Sequence, residues 1–316
     1  MPTPAESSRR SPHPDLSHGP IPGPLLLVDA SPYIFRAFYS LPSSMRDQDG
    51  RPANASRGFA DFLGKLLADE TPSHVLVAFD GSLTTSFRNE IYPAYKSSRE
   101  LPDADLMAQL EACYAVADAF GCFSCIDDRY EADDLVATAR AVFDSDFERF
   151  AVVTADKDLT QLVDERTVFY DFAKGARFGP AEVLEKFGVH PHQIRDMLGL
   201  AGDSVDDIPG VRGVGPKTAV ALLGAFEDMD AIYDGLERVQ DVDVRGAKTL
   251  AAKLAEHREM AFLSRELATC AVDAPLAVKD AAGLAWSGVK RADLDALLER
   301  LGYRAGVPRF PGLPQA

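Results

Sequence analysis

Acidic residues in this chain stand where several apolar runs end. Three such runs close at Asp29, at Asp80 and shortly before Asp156, and short apolar runs of this kind are typical of buried strands in a parallel sheet. In open α/β sheets the ligand site lies outside the carboxyl ends of the strands. The sequence therefore predicts that these carboxylates meet at one edge of a sheet, which we take as the candidate active site.

A fourth acidic segment precedes a helical pattern. Glu131, Asp133 and Asp134 come directly before apolar residues at helical spacing, so they fall in the first turn of a helix. One explanation is local, because each acid near a helix N-terminus stabilises the helix by about 0.3–1 kcal/mol. The other is that they join the strand-end carboxylates in one site, and the number of acidic segments favours it.

The combined set suits divalent cations. On a helix Glu131 and Asp134 share a face, whereas Asp156 and Asp158, two apart on an extended segment, would point the same way. Clustered acids repel unless hard cations neutralise them, and the lack of accompanying His or Cys favours Mg²⁺ or Mn²⁺ over zinc. Two ions about 4 Å apart activate a water and stabilise the leaving oxygen of a phosphodiester. The candidate metal ligands are Asp29, Asp80, Glu131, Asp133, Asp134, Asp156, Asp158, Asp203 and Asp206.

Two further segments have features of nucleic-acid contacts. Residues 87–99 mix basic and aromatic side chains, which suits phosphate contact and base stacking, although a solvated loop explains that composition equally well. Residues 210–218 form a glycine-rich turn that opens a helix and offers backbone N–H groups and Lys217 to a phosphate. It is not a P-loop, because Pro216 separates Gly215 from Lys217 and an acidic loop replaces the preceding strand.

Hydrophobic periodicity predicts an α/β region followed by a helical one. Strands are expected at 25–29, 75–80, 150–153 and 168–172, and helices at 31–40, 57–67, 105–120, 135–143 and, as a short one, 159–163. From residue 180 the pattern is mainly helical. We therefore expect a disordered tail at 1–23, an α/β domain with the candidate active site at 24–179, a helical region at 180–305 and a fraying tail at 306–316.

Composition limits the class of protein. The 316 residues include 33 Lys and Arg against 49 Asp and Glu, a net charge of −16, which by itself argues against a nucleic-acid partner. That objection weakens where divalent cations neutralise clustered acids. No run approaches the roughly 20 apolar residues that span a bilayer, and four cysteines in a chain of this length suit a reduced cytoplasm.

Seven motifs, in order, make the chain resemble the 5′→3′ exonuclease and flap endonuclease family, in the form found as the 5′-nuclease domain of bacterial DNA polymerase I. They cover residues 25 to 278. They are Leu27-Val28-Asp29; Phe79-Asp80; Phe87-Arg88 with Tyr95-Lys96 and Arg99; Tyr130-Glu131-Ala132-Asp133-Asp134; Thr154-Ala155-Asp156-Lys157-Asp158; Gly202-Asp203 with Asp206 and Ile208-Pro209-Gly210; and Gly213-Val214-Gly215-Pro216-Lys217-Thr218.

The resemblance implies a three-layer α/β fold of the PIN-like 5′-nuclease type, with mostly parallel strands, helices on both faces and a helical arch. It also implies a C-terminal helix–three-turn–helix module that grips duplex DNA carrying a 5′ end or flap. All nine candidate carboxylates would hold two Mg²⁺ ions, with Mn²⁺ as a substitute. Lys96 and Arg99 would act on the scissile phosphate, and a K⁺ ion would sit at the hairpin. The DNA contacts would be Arg88, Tyr95, Gly213, Gly215, Lys217 and Thr218.

Two departures from the family pattern accompany this resemblance. Asp207 stands where family members commonly have Asn, and residues 30–36 differ from the polymerase-linked domains. Because the segment after residue 278 is too short for a polymerase, we expect a stand-alone nuclease, located in the cytoplasm with the nucleoid. Two alternatives stay open: a metal-dependent ribonuclease, and a structure-specific DNA-binding protein that does not cleave. The sequence indicates no protein partner.

Overall fold

The computed structural model describes residues 24–82, 84–100, 103–304 and 309–316, so the tail predicted at 1–23 lies outside it. Its centre is a six-stranded sheet in the order β3-β2-β1-β4-β5-β6. Neighbouring strands pair in parallel except β5 and β6, which are antiparallel. The strands are β1 Leu25–Asp29, β2 His74–Asp80, β3 Phe123–Asp127, β4 Phe150–Val153, β5 Thr167–Asp171 and β6 Ala176–Phe178. The predicted parallel sheet is confirmed.

Twelve α-helices occur in the described part of the chain. They are α1 Ser31–Ser40, α2 Asn54–Glu70, α3 Phe87–Ile91, α4 Ala104–Ala119, α5 Ala132–Val142, α6 Pro180–Phe187, α7 Ile194–Ala201, α8 Pro216–Ala225, α9 Met229–Asp234, α10 Ala247–Glu256, α11 Arg258–Ala268 and α12 Arg291–Arg300. Short 3-10 helices lie at Lys157–Leu162, Pro191–Gln193, Leu236–Asp241 and Ala281–Leu284. The four longer predicted helices each have a counterpart, namely α1, α2, α4 and α5.

Strand β1 explains why the α/β region has three layers. All five of its residues are buried, and successive side chains of a strand point to opposite faces. Leu26 and Val28 face a core with α1, α2, α4 and α12. Leu25 and Leu27 face a second core with α5 and residues 270–284. Both faces of the sheet are therefore covered, which is why its strands read as continuous apolar runs.

The segment after β4 differs from the prediction in one respect. Asp156 and Asp158 were expected on extended backbone, but Asp156 is the N-cap of the 3-10 helix Lys157–Leu162, and its side chain accepts a hydrogen bond from the Asp158 backbone N–H at 3.0 Å. Asp is a favoured N-cap residue because its carboxylate satisfies an otherwise free N–H group. The two acids are thus placed by a helix start and not by strand alternation.

Residues 180–268 contain a core of their own. It joins α6 to α11, and Val163, Phe169 and Tyr95 from the α/β region pack against it. The segment after α11 then returns to the sheet, where Cys270 and Trp286 are buried. Residues 270–304, the last part of the region predicted as helical, therefore pack largely on the α/β cores.

The end of the chain also departs from the prediction of a fraying tail. Leu313 is buried, and Val289 exchanges backbone hydrogen bonds with Pro314 and Ala316. The ring of Phe310 packs against Phe120, with their centroids 5.4 Å apart. Residues 309–316 show no periodicity because single apolar residues hold them in place, and isolated residues do not form a helix or strand pattern. Among the described residues, no helix is long and apolar enough to cross a membrane.

Candidate active site

A cavity of about 210 Å³ opens at the carboxyl edge of the sheet. The predicted convergence of acidic segments at this edge is confirmed as geometry. Seven of the nine candidate carboxylates line the cavity: Asp29, Asp80, Glu131, Asp133, Asp156, Asp158 and Asp206. Lys96 and Arg99 also line it, together with the apolar side chains of Pro32 and Phe35. Asp134 and Asp203 are not among the lining residues.

Asp29 and Asp80 end the neighbouring strands β1 and β2 and are held by residues that sequence reasoning missed. Thr154 donates its hydroxyl to Asp29 at 2.8 Å, and Ser31 donates its hydroxyl to Asp80. The Ala132 N–H, at the start of α5, also donates to Asp80 at 2.8 Å. Thr154 directly follows β4 and Ser31 follows β1 by two residues, so a hydroxyl residue close to a strand end is the sequence signal that points to such support.

Both carboxyl groups have raised pKa values, so they keep their protons to a higher pH than usual. Burial raises the pKa of Asp29 to about 8, and the neighbouring charge of Asp80 adds to the shift. Burial also raises the pKa of Asp80, against the hydrogen bond from Ser31. Removing water and adding a like charge both disfavour a second carboxylate charge. A bound cation would remove this penalty.

The first turn of α5 contains a closed ion pair. Arg88, whose side chain is 1% exposed, donates to both oxygens of Asp134 at 2.8 Å. The backbone N–H groups of Glu131 and Ala271 donate to the same two oxygens, at 3.1 and 2.7 Å. A carboxylate has about four acceptor positions, so these four hydrogen bonds use all of them. Asp134 is therefore a structural anchor in this conformation, and its role as a metal ligand stays a prediction.

Two of the predicted DNA contacts, Arg88 and Tyr95, are almost fully buried. Arg88 lies inside the protein, where it also donates to the backbone oxygens of Leu267 and Thr269 at 2.8 and 3.2 Å. Tyr95 is 3% exposed, and its hydroxyl donates to Glu131 at 3.0 Å. Both side chains are among the residues that line the cavity, but their polar atoms are already paired with Asp134 and Glu131. Part of the basic and aromatic segment 87–99 therefore packs inside the protein beside the cavity.

Lys96 projects into the cavity between two acids. Its ammonium group donates to Glu131 and lies 3.7 Å from Asp206. Burial alone would lower the pKa of Lys96, but the charges of Glu131 and Asp206 outweigh it and raise that pKa. The pKa of Glu131 moves the opposite way, because the charges of Lys96 and Arg88 outweigh burial. Lys96 is therefore a cation held next to the candidate metal ligands.

Asp158 is the least satisfied acid of the cavity. Burial and the charge of Asp156 raise the pKa of Asp158 to about 7. One of its carboxylate oxygens is buried without a hydrogen-bond partner among the described residues. Buried polar atoms normally have a partner, and an exception calls for an explanation such as an ion. This oxygen is the kind of donor that Mg²⁺ takes.

Asp203 and Asp206 belong to the loop after α7. Lys157 donates to Asp203 at 2.9 Å, and the Val205 N–H donates to the other oxygen of Asp203 at 2.8 Å. Arg99, which is 43% exposed, forms an ion pair with Asp206. Lys157 was not predicted as a site residue, although it lies between two predicted ligands in sequence. Lysine and arginine thus neutralise this part of the cluster in the metal-free protein.

The predicted glycine-rich hairpin lies on the helical side. Val211 and Val214 are buried and anchor it, while Gly213 is exposed and has a φ of +83°, a backbone conformation that favours glycine. Gly215 is the N-cap of α8, and the Thr218 N–H donates to its carbonyl at 2.9 Å. Lys217 is exposed. An exposed Lys253 on α10, which sequence reasoning missed, stands beside Gly213.

The residues present fit divalent cations. The cavity offers carboxylate oxygens, and the first-turn acids of α5 have oxygens within 4.8 Å of one another. Glu131 and Asp133 face the cavity, whereas Asp134 is occupied by Arg88. The donor set is hard and oxygen-based, as Mg²⁺ and Mn²⁺ require. The four cysteines are all free and buried, and Cys270 alone approaches the cluster, 4.0 Å from Asp133.

Two consecutive family models match residues 24–292 of the chain. The model described as 5′-3′ exonuclease, N-terminal resolvase-like domain covers residues 24–188. The model described as 5′-3′ exonuclease, C-terminal SAM fold covers residues 189–292. Together they include the sheet, the cavity and the hairpin. The boundary between the two models lies at residues 188 and 189.

Two relatives give the same assignment. DNA polymerase I of Bacillus subtilis is 38% identical over 290 residues, which cover 90% of this chain and 32% of that protein. The chain therefore spans about a third of that relative's length. A 5′-3′ exonuclease of Buchnera aphidicola is 30% identical over 253 residues, covering 80% of this chain and 88% of that one.

The fold matches that of the bacteriophage T5 D15 flap endonuclease, in a structure described as a pseudo-enzyme-product complex with DNA and metal ions. The TM-score is 0.64 at 19% identity, over 88% of this chain and 99% of that one. At this identity the likeness shows the fold alone. The family follows from the two models and the Buchnera relative, which is similar over most of its own length. The chain belongs to the 5′-3′ exonuclease family.

Proposed function

We propose that the protein hydrolyses DNA phosphodiesters at 5′ ends and 5′ flaps, with two divalent cations as cofactors. The observation that carries the proposal is the cavity itself, in which seven carboxylates and three basic side chains from six segments converge. Such a site suits a reaction that develops negative charge on a phosphate. Membership of the 5′-3′ exonuclease family and the DNA in the bacteriophage T5 structure support the choice of substrate.

Two groups of residues would hold the cations. One group comprises Asp80, Glu131 and Asp133, and the other comprises Asp156, Asp158, Asp203 and Asp206, with Asp29 between them at the end of β1. When bound, such ions activate a water and stabilise the leaving oxygen. We propose Mg²⁺ as the natural cofactor and Mn²⁺ as a substitute, because both prefer oxygen ligands.

Lys96 and Arg99 would bind the phosphate that reacts. Lys96 already lies inside the cavity, and Arg99 is partly exposed at its rim. Both form ion pairs with Glu131 or Asp206, and a phosphate entering with cations would replace those partners. A positive charge fixed beside the phosphate stabilises the charge that develops there without reorganisation during the reaction. Asp134 and Arg88 would keep Glu131 in position from beneath.

The helical region would hold the duplex next to the cut. The exposed hairpin offers Gly213, Gly215, Lys217 and Thr218 to the backbone of one strand, and a helix N-terminus suits a phosphate. We propose a K⁺ ion on the hairpin carbonyls as part of this contact. Terminal nucleotides must unpair to reach the cavity, which costs a few kcal/mol.

The resulting functional division is an α/β catalytic part and a helical DNA-binding part. A DNA substrate and four free cysteines support a cytoplasmic, nucleoid-associated location.

A labelled 5′-flap duplex tests this function. The protein is incubated with the duplex in Mg²⁺, in Mn²⁺ and in EDTA, beside Asp133→Asn and the matched control Asp69→Asn, an exposed aspartate on α2. We expect products at the flap junction or successive nucleotides from the 5′ end. They should disappear in EDTA, fall by about 100-fold or more in Asp133→Asn, and persist in Asp69→Asn.

Two other outcomes would overturn the proposal. Tight binding without cleavage in either cation would favour the DNA-binding protein that does not cut. Faster cleavage of an RNA strand of the same sequence would favour the ribonuclease. Cleavage by Asp133→Asn at the rate of the unmodified protein would leave the nuclease in place and reject the assignment of Asp133 as a ligand.

A further inference from the structure

Two residues with unusual backbone conformation meet beside the cavity. Lys96 has a φ of +54° and Asp207 a φ of +55°, and they are two of the four non-glycine residues with positive φ among those described. This left-handed conformation costs of order 1 kcal/mol or more for most residues and persists where surrounding contacts impose it. Lys96 lies in the turn after α3, and Asp207 lies in the loop that carries Asp203 and Asp206.

Hydrogen bonds from Lys96 and from the residues after it join this turn to the loop that carries Asp206 and Asp207. Its backbone N–H donates to the carbonyl of Asp206 at 2.9 Å. The Ser98 backbone N–H donates to a carboxylate oxygen of Asp207 at 2.7 Å. Arg99 then pairs with Asp206. Lys96 and the residues after it are therefore tied to the acidic loop, and the Asp207 carboxylate is the side-chain acceptor of the Ser98 N–H.

This contact explains how Lys96 keeps its direction. Lysine has a flexible side chain with four rotatable carbons, so its ammonium group reaches a fixed point only where the backbone is fixed. A left-handed residue in a turn reverses the local chain direction, and the Ser98–Asp207 bond holds the turn closed after it. The result is that the Lys96 ammonium enters the cavity next to Glu131.

We propose that Asp207 is a positioning residue that acts through Lys96. The inference rests on the proposed function, since it concerns how Lys96 meets the phosphate. The required feature is an oxygen acceptor on a residue that tolerates left-handed backbone. Asn meets both requirements, because it also carries an oxygen acceptor and visits this conformation readily. The Asn that commonly stands at this position in the family pattern and the Asp207 of this chain would therefore position Lys96 in the same way.

Two variants of Asp207 distinguish the role of its oxygen acceptor from the role of its backbone conformation. Asp207→Gly keeps the left-handed conformation without strain but removes the acceptor. Asp207→Asn keeps the acceptor and removes the charge. Ser204→Gly, at an exposed position of the same loop, is the matched control for added backbone freedom. Each variant is compared with the unmodified protein for single-turnover cleavage of the flap duplex and for its Kd in Ca²⁺.

The expected result is a loss in rate and not in binding. Asp207→Gly should lower the cleavage rate about 10-fold, as expected for one charge-assisted hydrogen bond that orients a catalytic group. Its Kd should stay within about 2-fold, and Asp207→Asn should recover most of the rate. In the Lys96→Ala background Asp207→Gly should cost little further, because residues that act as a unit are not additive.

Hydrogen exchange gives a readout that needs neither metal nor substrate. In EDTA, the peptide containing residues 95–99 should exchange its amide hydrogens faster in Asp207→Gly than in the unmodified protein. Exchange in Asp207→Asn and Ser204→Gly should remain slow, because the Ser98 N–H keeps its acceptor.

Three outcomes would overturn the inference. Cleavage by Asp207→Gly at the normal rate would show that Lys96 needs no such support. An equal loss in the normal and Lys96→Ala backgrounds would show that Asp207 acts independently of Lys96. Failure of the unmodified protein to cleave would reject the proposed function and, with it, this role. The first two leave the proposed function intact.

Discussion

The two halves of the acidic cavity are neutralised in different ways. On the α5 side, Glu131 and Asp134 pair with Arg88 and Lys96, and every acceptor position of Asp134 is used. On the β4 side, Asp158 has a pKa raised to about 7 by burial and by Asp156, and one of its oxygens has no partner among the described residues. Glu131 and Asp134 are thus paired by the protein itself, whereas Asp158 is not.

This difference separates folding from cofactor binding. The α5 half connects α3, α5 and the end of α11 through the buried guanidinium of Arg88, so it holds the α/β and helical parts together. In the β4 half the carboxylates of Asp156 and Asp158 repel each other, and a bound cation would reduce that repulsion. We expect substitutions on the first side to act on stability, and substitutions on the second to act on metal binding and cleavage.

Removing Arg88 should have the largest effect. Arg88→Ala leaves Asp134 buried without its partner, and breaking a buried ion pair in this way destabilises a protein by about 3–5 kcal/mol. Arg88→Lys should recover only part of this, because one ammonium group cannot donate to both oxygens as the guanidinium does. Urea unfolding in EDTA measures the change. Arg129→Ala, which breaks an exposed pair with Glu90, is the control and should have little effect. An equally small loss in Arg88→Ala would remove the distinction between the halves.

Neutralising Asp158 should separate stability from activity. Asp158→Asn removes a charge that burial and Asp156 disfavour, so the metal-free protein should melt roughly 1–3 °C higher. Cleavage in Mg²⁺ should nevertheless fall by about 100-fold, because a ligand is lost. Asp146→Asn, an exposed position nearby in sequence, should change neither. A lower melting temperature in EDTA would mean that Asp158 stabilises the fold.

The smallest effect concerns pH. The folded-state pKa values of Asp29 and Asp158 are raised to about 8 and about 7, so between pH 4 and 8 the native protein binds more protons than the unfolded chain. Stability without metal should therefore fall as pH rises through this range. Mg²⁺ competes with those protons, so its gain in melting temperature should be larger at pH 8 than at pH 5.5, by a few degrees.

Thermal melts in Mg²⁺ and in EDTA at both pH values, at equal ionic strength, measure this difference. A gain of the same size at pH 5.5 and pH 8 would show that the raised pKa values do not govern metal binding. Asp29→Asn offers a sharper form of the test, because it removes the acid with the higher pKa and should reduce the pH dependence.

Much of the fold could be predicted because it depends on local periodicity. Strands β1, β2, β4 and β5 were found from apolar runs, and each observed boundary lies within one residue of the expected one. Strand β3 is short and half exposed, and β6 has three residues, none of them fully buried, so neither carries a strong pattern. The packed segment 309–316 escaped prediction because isolated anchors such as Leu313 have no period to detect.

The sequence by itself determined that the acids converge. Apolar runs that end in Asp become parallel strands, and parallel strands bring their carboxyl ends to one edge. Only the tertiary structure decided what each acid does there. Asp134 meets Arg88, 46 positions away, and Asp207 meets Ser98, 109 positions away. Such pairings depend on which groups the whole fold removes from water, because a buried charge needs a partner wherever the chain supplies one.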